Sequence, residues 1–151
     1  MPASLRQMAI RLLARREHTR LELRRKLAAQ AESADQLEAL LDDLAARRLL
    51  ADDRYAEQRV NARCGRLGNA RLAQELRSSG VEASLIDAAL ATAGDEVDRA
   101  RAVWRKKFGA PPADRHEWAR QARFLQARGF ASDVIARILK DVEDDLDEQH
   151  G

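Results

Sequence analysis

The residue types that could do chemistry in this chain are few and scattered. There are three histidines, His18, His116 and His150, and one cysteine, Cys64. None stands at the spacing a metal needs, so no metal or other cofactor is expected. The histidines read as solvent or capping residues. Cys64 falls where Phe108 falls in a later stretch of similar pattern, and reads as a small core residue and not a nucleophile. The adjacent acids Asp42-Asp43, Asp52-Asp53 and Asp144-Asp145 could suggest acid–base work. Neighbours on a helix point in different directions, however, so these pairs read as solvated or capping. Gly65-x-x-Gly68 lacks the Lys-Ser/Thr that a phosphate loop requires. These residues point away from an enzyme.

Charge is the more informative polar feature. The chain has 27 Lys and Arg against 25 Asp and Glu, but they are unevenly spread. Residues 99–140 hold 11 basic and 3 acidic side chains, residues 1–49 hold 10 and 7, and residues 50–98 hold 6 and 9. From Asp141 onward there are six acids and no Lys or Arg. The basic clusters predict a surface for an anionic partner or DNA, made of Arg15, Arg16, Arg24, Arg25, Lys26, Lys106, Lys107, Arg120 and Arg123. Arg120 and Arg123 lie one turn apart on one helix face. Arg105 and Arg128 extend the same runs. Trp104 and Trp118 are expected as core anchors, and a stacking role on nucleic acid is the other reading of Trp118.

Helices must position these side chains. Hydrophobic residues are 45% and aromatics 4%, so the core is expected to be Leu, Ala, Ile and Val. Apolar residues recur at helical spacing and then again 49 residues on: Leu27/Leu76/Leu125, Leu37/Ile86/Ile135 and Leu41/Leu90/Leu139. That is the mark of a repeat protein. Helices are expected near 4–16, 19–30, 33–47, 53–65, 69–79, 82–93, 95–108, 114–128 and 131–145. Ser4-x-x-Gln7, Thr19-x-x-Glu22 and Ser33-x-x-Gln36 fit capping boxes, and Asp114-x-x-Glu117 fits a cap. Gly80 and Gly129 are expected to end middle helices in the left-handed conformation, whereas Ala31 at the matching place predicts a different turn.

The fold expected is therefore all-α, three tandem three-helix repeats in an elongated, curved array. The repeats span 4–49, 50–94 and 95–145, with a disordered acidic tail over 146–151. No apolar run is long enough to cross a membrane, Met1 to Leu5 does not look like a signal peptide, and a lone cysteine suits a reducing compartment. A cytoplasmic monomer is expected.

At this point the residues resemble a known family. Leu12 to Leu27 (LLARREHTRLELRRKL) resembles the first-repeat signature of RecX regulatory proteins, and Leu49 to Glu57 (LLADDRYAE) resembles the opening of their second repeat. Gly68-x-x-x-Leu72-x-x-x-Leu76-x-x-x-Gly80-Val81 continues the likeness, which covers residues 5–143. Ser79 stands where the family usually has Lys. The resemblance implies a helical-repeat protein that lodges in the groove of the RecA–DNA filament. It implies inhibition of the ATPase, strand-exchange and coprotease activities of RecA, damping of the SOS response, and in some members direct DNA contact. From the residues alone, a helix-turn-helix-like DNA-binding protein and a scaffold for other helices stay open.

Overall fold

A computed structural model describes residues 2–150. Met1, Gly151 at the end of the expected tail, and the side chain of His150 lie outside what it describes. The described residues form nine α-helices and no strand: α1 Leu5–Arg15, α2 Arg20–Leu27, α3 Ala34–Ala46, α4 Asp52–Arg63, α5 Asn69–Ser78, α6 Ala83–Ala91, α7 Glu96–Lys107, α8 Arg115–Ala127 and α9 Ser132–His150. The chain forms two compact units, Met1–Gln58 with Leu76–Ala89, and Arg59–Glu75 with Leu90–Gly151.

Side chains start these helices as the sequence predicts. Ser4 Oγ accepts from the Gln7 backbone at 3.1 Å while the Gln7 side chain accepts from the Ser4 backbone at 2.9 Å. Thr19 and Glu22 do the same for α2 at 3.1 and 3.0 Å. Each reciprocal pair satisfies amides that have no partner inside the helix. Ser33 caps α3, but Gln36 reaches past it to the Glu32 amide at 2.6 Å, so the third box does not close on itself. Asp114 caps α8, and Asp95 caps α7.

The middle helices end as glycine allows. Gly80 and Gly129 have φ of 86° and 92°, a region that strains any residue with a Cβ. Val81 and Phe130 donate back to the carbonyls of Leu76 and Leu125 at 3.0 and 3.2 Å, and both side chains are buried. After α2 the chain instead tightens into a 3-10 turn, Ala28–Gln30, and leaves in extended conformation at Ala31.

In the first unit Ala9, Leu23, Leu27, Leu37, Leu41 and Leu44 form one cluster. In the second, Trp104, Leu125, Ile135, Ile138 and Leu139 anchor another. Eight of the nine register positions are buried; Leu90, one residue before the end of α6, is only part-buried.

Two further expectations change. Trp118 is 39% exposed and is not a core anchor: it shares a face of α8 with the buried Leu125 but lies two turns away, in the first turn of the helix. The last helix, expected to end at 145, runs on as α9 to His150. Asp141 pairs with Arg101 at 3.0 Å, Val142 is buried beside it, and Leu146 lines a hollow with Trp104 and Pro111. This packing offsets the cost of placing acids at a helix C-terminus.

Within each unit, a middle-helix start meets a middle-helix end. In the first, Thr19 Oγ1 donates to the Ser79 carbonyl at 2.5 Å, and a Cβ on Gly80 would lie 2.6 Å from Leu21 Cβ. In the second, the Gly68 amide donates to the Arg128 carbonyl at 2.7 Å and the Ala70 amide to Gly129 at 3.2 Å. A Cβ on Gly129 would lie 2.6 Å from the Arg71 amide nitrogen. The two joints repeat at the 49-residue spacing of the apolar pattern, since 19 and 79 become 68 and 128.

Candidate partner-binding surfaces

The first unit places Arg15, Arg16, Arg24, Arg25 and Lys26 on and around α1 and α2 but leaves only some of them free. Arg24 holds Glu38 through two hydrogen bonds of 2.5 and 3.1 Å, and Arg20 holds the same carboxylate at 2.8 Å. Arg24, then Arg20, pulls the Glu38 carboxyl down to about 2. Arg16 is tied to Glu22. Arg15 and Arg25 are exposed, with no carboxylate partner among the described residues.

Lys26 has an unexpected neighbour. His18, expected at the surface, is buried, with Nδ1 3.0 Å from the Arg16 carbonyl and Nε2 3.1 Å from Lys26 Nζ. A carbonyl can only accept and an ammonium can only donate. His18 is therefore neutral, with its proton on Nδ1. Burial is the main cause that lowers its pKa. The sequence missed this because a helix-start histidine carries no signal of what packs over it.

Two of the three acidic pairs, Asp42-Asp43 and Asp52-Asp53, act as structural partners. Asp52 accepts from the Arg20 amide at 2.8 Å and so caps α2, while burial raises its pKa. Asp53 pairs with Arg48, Asp42 with Arg20, and Asp43 with Arg6 and Arg47. Among the described residues no group of His, Cys, Asp and Glu could hold a metal ion, and no helix is long and apolar enough to cross a membrane. Cys64 is part-buried past the end of α4, not in the core.

This unit also carries a shallow apolar hollow of about 260 Å³ between Ile10, Leu13, Ala14 and Leu49. Ile10 and Leu49 are 43% and 45% exposed. Its polar rim is neutralised internally, because Arg48 pairs with Asp53 and Arg54 with Glu17.

In the second unit the predicted cations separate. Arg120 is held by Glu117 through two hydrogen bonds of 2.8 and 2.7 Å and lies over the Phe108 ring at 5.0 Å. It pulls the Glu117 carboxyl down to about 2. Arg123, one turn on, is exposed with no partner among the described residues. Arg99, counted in the basic excess, points inward and donates to the carbonyls of Cys64 and Leu67 at 3.1 and 2.8 Å.

Lys106 and Lys107 instead line a groove of about 420 Å³. Along α7 it is bordered by Ala102, Val103, Lys106 and Lys107, which share one face of the helix. Phe124 and Arg128 close it from the last turns of α8, and Gly65 with Arg66 from the turn after α4. Lys107 Nζ and the Arg128 guanidinium lie 5.3 and 5.0 Å from the Phe124 ring centre, and Phe108 meets that ring edge-on at 5.4 Å. No carboxylate lines this groove. Arg66 was not expected here: it belongs to the acidic middle third of the sequence, far from 106 and 107, and nothing in its local pattern marks it.

Comparison with known proteins agrees with this architecture. Residues 52–90 match the second three-helix domain of RecX and residues 94–139 the third. The chain is 49% identical to the Regulatory protein RecX of Leptothrix cholodnii over 91% of its own length and 88% of the relative's. It is 45% identical to that of Ralstonia pickettii, over 97% and 93%. Among solved structures, RecX from Lactobacillus salivarius superposes with a TM-score of 0.81 at 20% identity, covering 92% of this chain and 94% of that one. The repeat spacing, the glycine caps and relatives sharing nearly half their residues over almost full length agree: this chain belongs to the RecX family of regulatory proteins.

Proposed function

We propose that this chain is a non-enzymatic regulator that binds the RecA recombinase filament in the cytoplasm. It inhibits the ATPase, strand-exchange and coprotease activities of RecA, and so modulates recombinational repair and the SOS response. The observation that carries this reading is the near-full-length likeness to proteins named Regulatory protein RecX. The three-repeat division at 4–49, 50–94 and 95–145 belongs to the same proposal, with each repeat adding contact surface.

The contact surface is proposed to use the cations that no carboxylate holds. These are Arg15, Arg25 and Lys26 in the first unit and Lys106, Lys107 and Arg123 in the second. Arg66 and Arg128 join them. Arg16, Arg24 and Arg120 drop to supporting roles, because reaching a partner means first breaking an ion pair. The same unheld cations favour direct DNA contact as a second reading, which predicts steeply salt-dependent binding to DNA alone.

The test is DNA-dependent ATP hydrolysis by purified RecA, with this protein added at up to several-fold excess. Hydrolysis is expected to fall; an unchanged rate at that excess would falsify the reading. Reversing Arg15 and Arg25 to Glu is expected to leave melting unchanged, since both are exposed and unpaired, and to weaken inhibition several-fold.

A further inference from the structure

The groove of the second unit gathers four full positive charges, from Arg66, Lys106, Lys107 and Arg128, and no negative one. None of the four has an ion pair among the described residues, although many cations elsewhere do. The groove lies beside the last turn of α7 and the end of α8, where backbone carbonyls place partial negative charge. Four side-chain charges outweigh those partial ones. Between them the floor is apolar, made of Ala102, Val103 and the Phe124 ring.

This combination discriminates between anionic partners. A nucleic-acid strand offers phosphates to the rim, but its apolar parts are flat base faces that need a bare aromatic platform. Phe124 offers none: Lys107 and Arg128 already lie over its ring, and Phe108 meets it edge-on. The open part of the floor is aliphatic, and Ala102 and Val103 with Lys106 and Lys107 repeat one turn apart along α7. Such a trough suits one branched or unbranched apolar side chain flanked by carboxylates one helical turn away on either side.

We infer that this groove is the docking site for an acidic amphipathic segment of a protein partner, with one apolar side chain in the floor and its carboxylates on Arg66, Lys106, Lys107 and Arg128. The inference rests on the reading above, that the chain acts by binding RecA, and it assigns the groove to protein and not to the nucleic-acid strand.

The experiment measures the affinity of the full chain for DNA-free RecA and, separately, for a short oligo(dT). Two variants are compared, both checked for an unchanged circular dichroism melt. The Lys106→Glu, Lys107→Glu double variant reverses rim charge. Ala102→Leu fills the floor at an exposed helix position and leaves every charge in place. Both are expected to lose about tenfold or more in RecA affinity. Added salt should reproduce the loss from charge reversal. Ala102→Leu should leave oligo(dT) affinity unchanged.

If wild type binds RecA and neither variant loses affinity, the groove assignment is overturned while the RecA reading stands. If charge reversal abolishes oligo(dT) binding and Ala102→Leu leaves RecA affinity intact, the groove is a phosphate contact and the assignment fails. If wild type does not bind RecA at all, the reading and the assignment fall together.

Discussion

Gly129 and Gly94 show why a glycine must be judged by what surrounds it. Both have positive φ, at 92° and 82°. Nothing lies within 4 Å of where a Cβ on Gly94 would stand, whereas one on Gly129 would overlap the Arg71 side chain and backbone. Gly94→Ala should therefore cost only the left-handed conformation, about 1–2 kcal/mol. Gly129→Ala adds overpacking against backbone and should cost roughly 3 kcal/mol or more. Urea melts of the two variants measure the difference, and equal losses would mean that the joint at Gly129 does not exist. His18 gives a pH prediction. Its folded pKa lies below the ordinary 6.5, chiefly from burial, so the unfolded chain takes up a proton first as pH falls. The contribution is fully present above that ordinary value and is lost progressively below it. The melting temperature should fall as pH drops below that ordinary value, and His18→Gln should flatten that part of the curve. A slope unchanged by the substitution would show that other groups set it.

Among the helices, burial ranks the positions that the sequence treats as equal. Leu125 is fully buried and Leu90 only part-buried, although both belong to the 49-residue apolar register. Leu125→Ala should cost about 2–5 kcal/mol and Leu90→Ala under about 2 kcal/mol, read from the denaturation midpoints. Helix number, helix type and most starts were legible, because the 3.6-residue period and the Ser, Thr and Asp caps are written in side chains. The length of α9 was not, since the hollow that Leu146 lines is shared with Trp104 and Pro111, some forty residues earlier in the chain. The joints were also illegible: they bond through the carbonyls of Ser79 and Arg128, and a backbone carbonyl looks the same in every residue.

For the molecule as a whole, charge counting located the basic regions but not the usable charges. Arg24, Arg99 and Arg120 are consumed within the fold, while Arg66 joins Lys106 and Lys107 from a part of the sequence that is acidic on balance. Raising the salt concentration should therefore weaken partner binding far more than it lowers the melting temperature, because the unheld cations contribute little to folding. Parallel titration of binding and melting checks this, and a matched loss of both would place these charges in the fold. The joint carries a further consequence, for grafting. A start such as Thr19 or Gly68 is small, and an end such as Gly80 or Gly129 has no Cβ. The matching start in α8 is instead Glu117, Trp118 and Arg120, all bulky, with Glu117 and Arg120 tied by an ion pair, and the matching end after α2 is Ala31. Each terminus of the series thus blocks the splice that the interior uses. An engineer adding a further three-helix repeat would have to trim Trp118 on one side, or install glycine at Ala31 on the other, before the new module could seat.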